Sequence, residues 1–241
     1  MAGEFGELVV FPDAEALARG AALWLKDRIA PLSGRTAIAL SGGSTPRRLF
    51  QLMGSEFKDE FPWARMHFFW GDERFVPRDN PESNFRLAYE ALLSKVPVPP
   101  GNIHPVPTEG IELDEAVRAY ELELREFYGG STLKDKFLFQ VQFLGLGEDG
   151  HIASLIPGEP VLNERDRWVA AVSHGRPETR ITLTYPPIES SRHIAFLLSG
   201  TAKRDILYKV RTLSADVPAT RLRPFGSVTF LADRAAAGEE G

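Results

Sequence analysis

Apolar residues fall along this chain in two alternating rhythms. Short, nearly unbroken runs at Leu8 to Phe11, Thr36 to Leu40, Met66 to Trp70 and Phe139 to Leu144 have the length and composition of buried strands. Trp168 to Val172, Arg180 to Tyr185, His193 to Leu198 and Ser227 to Leu231 also have strand character. Between them the apolar residues recur at helical spacing. Pro12-Asp13 starts a helix to about Ile29, with Leu17, Ala21, Trp24, Leu25 and Arg28 on one face. A second helix begins near Pro46. Ser83 can cap a third that carries Phe85, Ala88 and Leu92 and is stopped by the prolines after Lys95. Asp114 to Tyr128 reads as an amphipathic helix burying Val117, Tyr120, Leu124 and Phe127. Pro186-Pro187 leave room for a short helix near Ile188, and SGTAKRDIL at 199 to 207 repeats the strand-to-helix pattern. The alternation predicts an α/β fold, a mainly parallel sheet with helices on both faces, in a single domain over residues 1–241 with a frayed tail from 235.

Composition narrows the chemistry. The absence of cysteine excludes disulfides, thiolate nucleophiles and cysteine-held metal. A net charge of −5 gives no general attraction to nucleic acid or acidic membranes, so an anionic ligand needs a local cluster of donors. No apolar run reaches membrane-span length and the N-terminus lacks signal-peptide regions, so the expected location is the cytoplasm. Another expectation is a monomer acting on a small phosphorylated molecule.

Three strand-to-loop junctions can carry that chemistry. In SGGSTP, Gly42, Gly43, Ser44 and Thr45 offer backbone N–H groups and hydroxyls at a helix start, where the helix dipole favours an anion. Lys203, in the first turn after Gly200, opposes that dipole unless it serves a nearby anion, and Arg180 at a strand start can hold phosphate in bidentate fashion. The polar stretch 71 to 86, GDERFVPRDNPESNFR, is expected to be a loop outside the core. Within it Arg74 can stabilise an oxyanion, and Asp72 can act as a base or position a hydroxyl. In LGLGEDGH, His151 lies just past a strand's carboxyl end, where open α/β sheets bind ligands, and Asp149 can orient it as a general base. Ser154 lacks the setting of a nucleophile, and the remaining histidines lack metal-ligand spacing, so no metal is expected.

These motifs, in order, resemble 6-phosphogluconolactonases of the glucosamine-6-phosphate isomerase/6-phosphogluconolactonase family. PETRITLTYPPI at 177 to 188, IAFLLSGTAKRDIL at 194 to 207 and VPATRL at 217 to 222 extend the resemblance over most of the chain. It implies a Rossmann-like, NagB/RpiA/CoA-transferase-like α/β sheet and cofactor-free hydrolysis of 6-phospho-D-glucono-1,5-lactone to 6-phosphogluconate in the oxidative pentose phosphate pathway. Carried onto this chain, it implies His151 as base, Asp149 as its orienter, Arg74 near the lactone carbonyl, and Ser44, Thr45, Arg180 and Lys203 on the phosphate. Ile156 and Phe230 stand where the family usually has phenylalanine and tryptophan, apolar exchanges outside the chemistry. The related deaminases follow GHIA with Phe-Asn-Glu-Pro, where this chain has Ser-Leu-Ile-Pro, and carry Asp-Glu-Tyr in place of Asp-Glu-Arg, so deamination ranks second. A sugar-phosphate sensor is the reading from another class. The chain shows no helix-turn-helix segment or basic extension to support it.

Overall fold

A computed structural model describes residues 4–134 and 136–239. Its first three strands are β1 (Glu7–Phe11), β2 (Thr36–Leu40) and β3 (Met66–Trp70), followed at once by a short β4 (Asp72–Arg74). Then come β5 (Phe139–Leu144), β6 (Val169–Val172), β7 (Arg180–Leu183), β8 (Ser191–Leu198) and β9 (Ser227–Asp233). Six strands form a wholly parallel sheet in the order β1-β9-β8-β5-β2-β3. Every residue of β2 and β3 is buried, as the unbroken apolar runs require of strands covered on both sides. From β2 the chain continues outward through β3 to one edge, whereas β5 leads through β8 and β9 toward the other. The topological switch therefore lies between β2 and β5, where such sheets open a crevice at their carboxyl ends.

The helices are α1 (Ala14–Ile29), α2 (Ser44–Met53), α3 (Asn84–Ala88), α4 (Leu113–Tyr128), α5 (Tyr185–Glu189), α6 (Arg204–Arg211) and α7 (Arg234–Ala237). Asp13 caps α1 by accepting from the Ala16 N–H at 2.8 Å, and Leu17, Ala21, Trp24 and Leu25 are buried beneath the helix. Arg28 stays half-buried, its guanidinium stacked 3.8 Å from the Trp24 ring. α4 buries Val117, Tyr120 and Leu124, and the Tyr120 hydroxyl clamps both the N–H and the carbonyl of Trp70 at 2.8 Å. Ser83 caps α3 through the Arg86 N–H, and α3 runs into a wider π-type turn over Tyr89–Leu93.

One expectation is corrected. Beside the expected mainly parallel sheet, β4, β7 and β6 form a second, antiparallel sheet in that order. Its first strand is the DER segment, so Asp72 and Glu73 are buried instead of lying in a solvated loop. Of the stretch 235–241 expected to fray, 240–241 lie outside the described residues; at its start Asp233 accepts from the Ala236 N–H at 2.8 Å and begins α7, which ends at Gly238 in the left-handed region. Ile156 and Phe230 are both buried, Phe230 stacked on Phe196 with ring centroids 4.7 Å apart.

Candidate active site

The anion-attracting half of the site begins where β2 ends. Gly43, at φ +107°, makes the turn into α2 in a conformation L side chains rarely adopt. No side chain caps α2 and no acid occupies its first turn, so the positive end of the helix faces outward at Ser44 and Thr45. Beside it the Ser41 hydroxyl is buried without a partner among the described residues. β4 and β7 place Arg74 directly opposite Arg180, a like-charge pairing that costs energy unless an anion lies between or beside the two. Burial, and then the Arg74 charge, lower the Arg180 pKa, and the Nε groups of both arginines are buried without a partner among the described residues. Arg180 has only loose ion pairs, 3.9 Å from Asp72 and 3.5 Å from Glu178. Arg74 donates to the carbonyl of Glu82 at 2.7 Å and to its carboxylate at 3.2 Å. Lys203 donates to the Leu146 carbonyl at 2.7 Å, which ties the β8 loop to the β5 loop.

The histidine-bearing half follows β5. Gly147 accepts from the Gly150 N–H and donates to the His151 carbonyl, both at 2.9 Å, folding 147–151 into a tight loop. A Cβ at Gly147 would lie 1.9 Å from His151 Nδ1, so the imidazole rests against bare backbone. His151 Nδ1 is 2.5 Å from Asp149 Oδ1, and Arg176 donates from Nη2 to Asp149 Oδ2 at 2.9 Å. Burial opposes ionisation of Asp149, but the hydrogen bonds from Arg176 and His151 hold its carboxyl well below the usual carboxylate range. Arg176 Nη2 also lies 3.1 Å from His151 Nδ1. A proton on Nδ1 directed at the carboxylate makes that approach a contact between two donors, and the Asp149 bond fixes the tautomer.

Between the halves lies Asp72, whose Oδ2 accepts from the Ser154 hydroxyl at 2.7 Å and whose carbonyl accepts from Asn84 Nδ2 at 2.9 Å. A cleft of about 270 Å³ joins these parts, lined by the SGGSTP loop, Asp72, Arg74, Asn84, His151, Arg180 and Lys203. A larger groove of about 590 Å³ runs along α4 beside Arg118 and Leu122, away from the convergent loop ends. Among the described residues, no group of three or more His, Cys, Asp or Glu side chains is disposed to hold a metal ion.

The profile of the family described as glucosamine-6-phosphate isomerases/6-phosphogluconolactonase matches residues 12–231. The chain belongs to this family. A 6-phosphogluconolactonase of Nostoc is 40% identical over 238 residues, covering 95% of this chain and 96% of the relative. A chloroplastic 6-phosphogluconolactonase of Arabidopsis thaliana is 37% identical over 85% of this chain, which spans 63% of that longer protein. Among solved structures, the 6-phosphogluconolactonase of Trypanosoma brucei superposes with a TM-score of 0.83 at 26% identity, covering 99% of this chain and 100% of that one.

Of the residues singled out in the sequence, Gly42, Gly43, Ser44, Thr45, Asp72, Arg74, His151, Arg180 and Lys203 all border the cleft of this family member. Asp149 stands behind His151 instead. Sequence reasoning missed Asn84 and Arg176. Asn84 carried a signal, lying inside the NPESNFR stretch immediately after the cap Ser83, whereas Arg176 sits in a polar connection between β6 and β7 with nothing to distinguish it. Ser154, set aside as a nucleophile, is fully buried and serves as the donor that holds Asp72.

Proposed function

We infer that the cleft hydrolyses 6-phospho-D-glucono-1,5-lactone to 6-phosphogluconate, the activity named for the relatives above, and that His151 is its general base. The observation that carries this reading is the 2.5 Å bond from Asp149 to His151 Nδ1, in a cleft whose other side presents Arg74, Arg180, Lys203 and an uncapped helix start. With its proton on Nδ1, the ring keeps the Nε2 lone pair to take a proton from water. The resulting hydroxide equivalent attacks the lactone carbonyl, and Arg74 stabilises the oxyanion of the tetrahedral intermediate. Collapse breaks the carbonyl carbon to ring-oxygen bond, the proton held on Nε2 passes to that oxygen, and the new carboxylic acid releases its own proton to solvent to leave the carboxylate.

A lactone is an activated ester, so a positioned base with electrostatic stabilisation suffices without a covalent intermediate. In this reading Ser44, Thr45, Arg180 and Lys203 grip the 6-phosphate and convert remote binding energy into orientation. The described residues contain no helix long and apolar enough to cross a membrane. A cytoplasmic monomer is part of the proposal, and a dimer mass in dilute solution would refute its second half. The central test compares lactone loss, corrected for spontaneous hydrolysis, in the parent and His151→Ala. The expected result is a loss of roughly 10²-fold or more in kcat with the fold intact. Equal rates would remove His151 as the base and leave Asp72 as the next candidate.

A further inference from the structure

The cleft explains His151 and Asp149, but not the arginine bound behind them. Arg176 lies in the connection between β6 and β7, which turns at Gly175 with φ +72°. One guanidinium nitrogen is anchored on the Gly175 carbonyl at 2.7 Å, and the other donates to Asp149 Oδ2 at 2.9 Å. The Asp149 side chain is 40% exposed. A carboxylate that open to solvent would rotate among several orientations if held on one side only. Here its two oxygens are divided: Oδ1 takes the N–H and Nδ1 of His151, and Oδ2 takes Arg176. Arg176 does not border the cleft, so substrate contact does not account for its placement.

We propose that Arg176 is a positioning residue, whose guanidinium fixes the Asp149 carboxylate and through it the tautomer and aim of the His151 imidazole. The proposal rests on the hydrolase reading of the cleft. Its physical content is that a bidentate-capable, permanently charged donor both orients Asp149 and keeps it ionised while His151 gains and loses a proton. A lysine would preserve the charge but not the fork. The same connection leads within four residues to Arg180, so the group that aims the base and a group facing the anion side are built on one segment.

The experiment measures kcat and KM for lactone hydrolysis in the parent, Arg176→Ala and Arg176→Lys, with thermal midpoints for all three. Arg176→Ala is expected to lose about tenfold in kcat while KM changes by less than about twofold, since ring aim affects the chemical step and not the phosphate grip. Arg176→Lys should recover part of the loss. Guanidinium chloride at non-denaturing concentration should partly restore Arg176→Ala, and sodium chloride at equal ionic strength should not. Parent-like kcat in Arg176→Ala overturns the proposal. A rise in KM alone also overturns it, because Arg176 would then act on the substrate. A loss untouched by guanidinium and by lysine, with a lowered midpoint, would make Arg176 a structural brace and reject the role. Failure of the parent itself to accelerate hydrolysis would instead bring down the hydrolase reading.

Discussion

His151 can accept a proton only at the nitrogen that does not already carry one, so its partner at Nδ1 decides whether it is a base at all. Asp149 makes that choice at 2.5 Å, and the ring can lie there because residue 147 has no side chain. A methyl group at Gly147 would meet Nδ1 at 1.9 Å and Asp149 Oδ1 at 2.5 Å, distances that no rotamer change at position 147 can relieve. Gly147→Ala is therefore expected to push the imidazole out of line. Activity should fall roughly 10²-fold through kcat, by the sensitivity of catalysis to misplacement of about 1 Å. The thermal midpoint should move little, because the loop is at the surface of the cleft. Parental kcat in Gly147→Ala would show that the ring tolerates another position. At this scale the sequence was legible wherever a residue's role depends on its immediate neighbours: the glycines around His151 announce a close approach and Asp149 stands two positions away. Arg176 was not legible, because its meaning comes from a contact 27 positions back along the chain.

Among the elements, β4 shows why charge along a sequence does not settle exposure. The DER segment has three ionisable residues in a row, yet Glu73 is buried and its carboxylate accepts the N–H groups of Arg74, Asn84 and Phe85 at 2.8, 2.7 and 2.7 Å. The Ser83 hydroxyl adds a fourth donor at 3.2 Å. Glu73 is thus the anion at the start of α3, and burial pushes its carboxyl up from the usual value even against these donors. None of this follows from a local pattern, because the partners lie ten to twelve residues onward. The largely apolar runs of β2, β3 and β5, in contrast, point directly to buried strands. Strand character at β6 and β7 was also visible, but their antiparallel pairing with β4 was not, since pairing direction depends on a partner that reads as a loop. Glu73→Gln replaces an acceptor by a group that presents N–H to some of these donors. The expected cost is about 2–3 kcal/mol, by the penalty for unsatisfied buried donors. That corresponds to a fall of roughly 5–10 °C in thermal midpoint for a chain of this size. KM should also rise, because Asn84 would loosen its hold on the Asp72 carbonyl. An unchanged midpoint would mean that solvent reaches this cap.

For the whole molecule, the groups expected to lower stability in mild acid are separate from those to which the chemistry is assigned in the proposed function. His67 in β3 is buried, with its Nδ1 3.0 Å from His104 Nε2 and its ring packed against Phe127. Burial, then the nearby His104 and Arg35, lowers its pKa to about 4. His193 in β8, edge-on to Trp24 and bonded to Ser227, is lowered to about 4 by burial and by Arg28 and Arg192. An unfolded histidine binds its proton near pH 6.5, so between about pH 6.5 and 4 the unfolded chain takes up protons that the native state refuses. Stability must therefore fall as pH falls through that window, and for His67 alone the loss from pH 6.5 to 4.5 is about 1–2 kcal/mol. Asp149 acts in another range: its depressed pKa contributes stability that is present above the ordinary aspartate value and lost only on stronger acidification. Urea midpoints of the parent and His67→Phe, measured at pH 6.5, 5.5 and 4.5, separate the contributions. The variant has its own stability at every pH, but its slope against pH should be distinctly shallower than the parent's. Parallel slopes would mean that His67 is protonated in the folded protein.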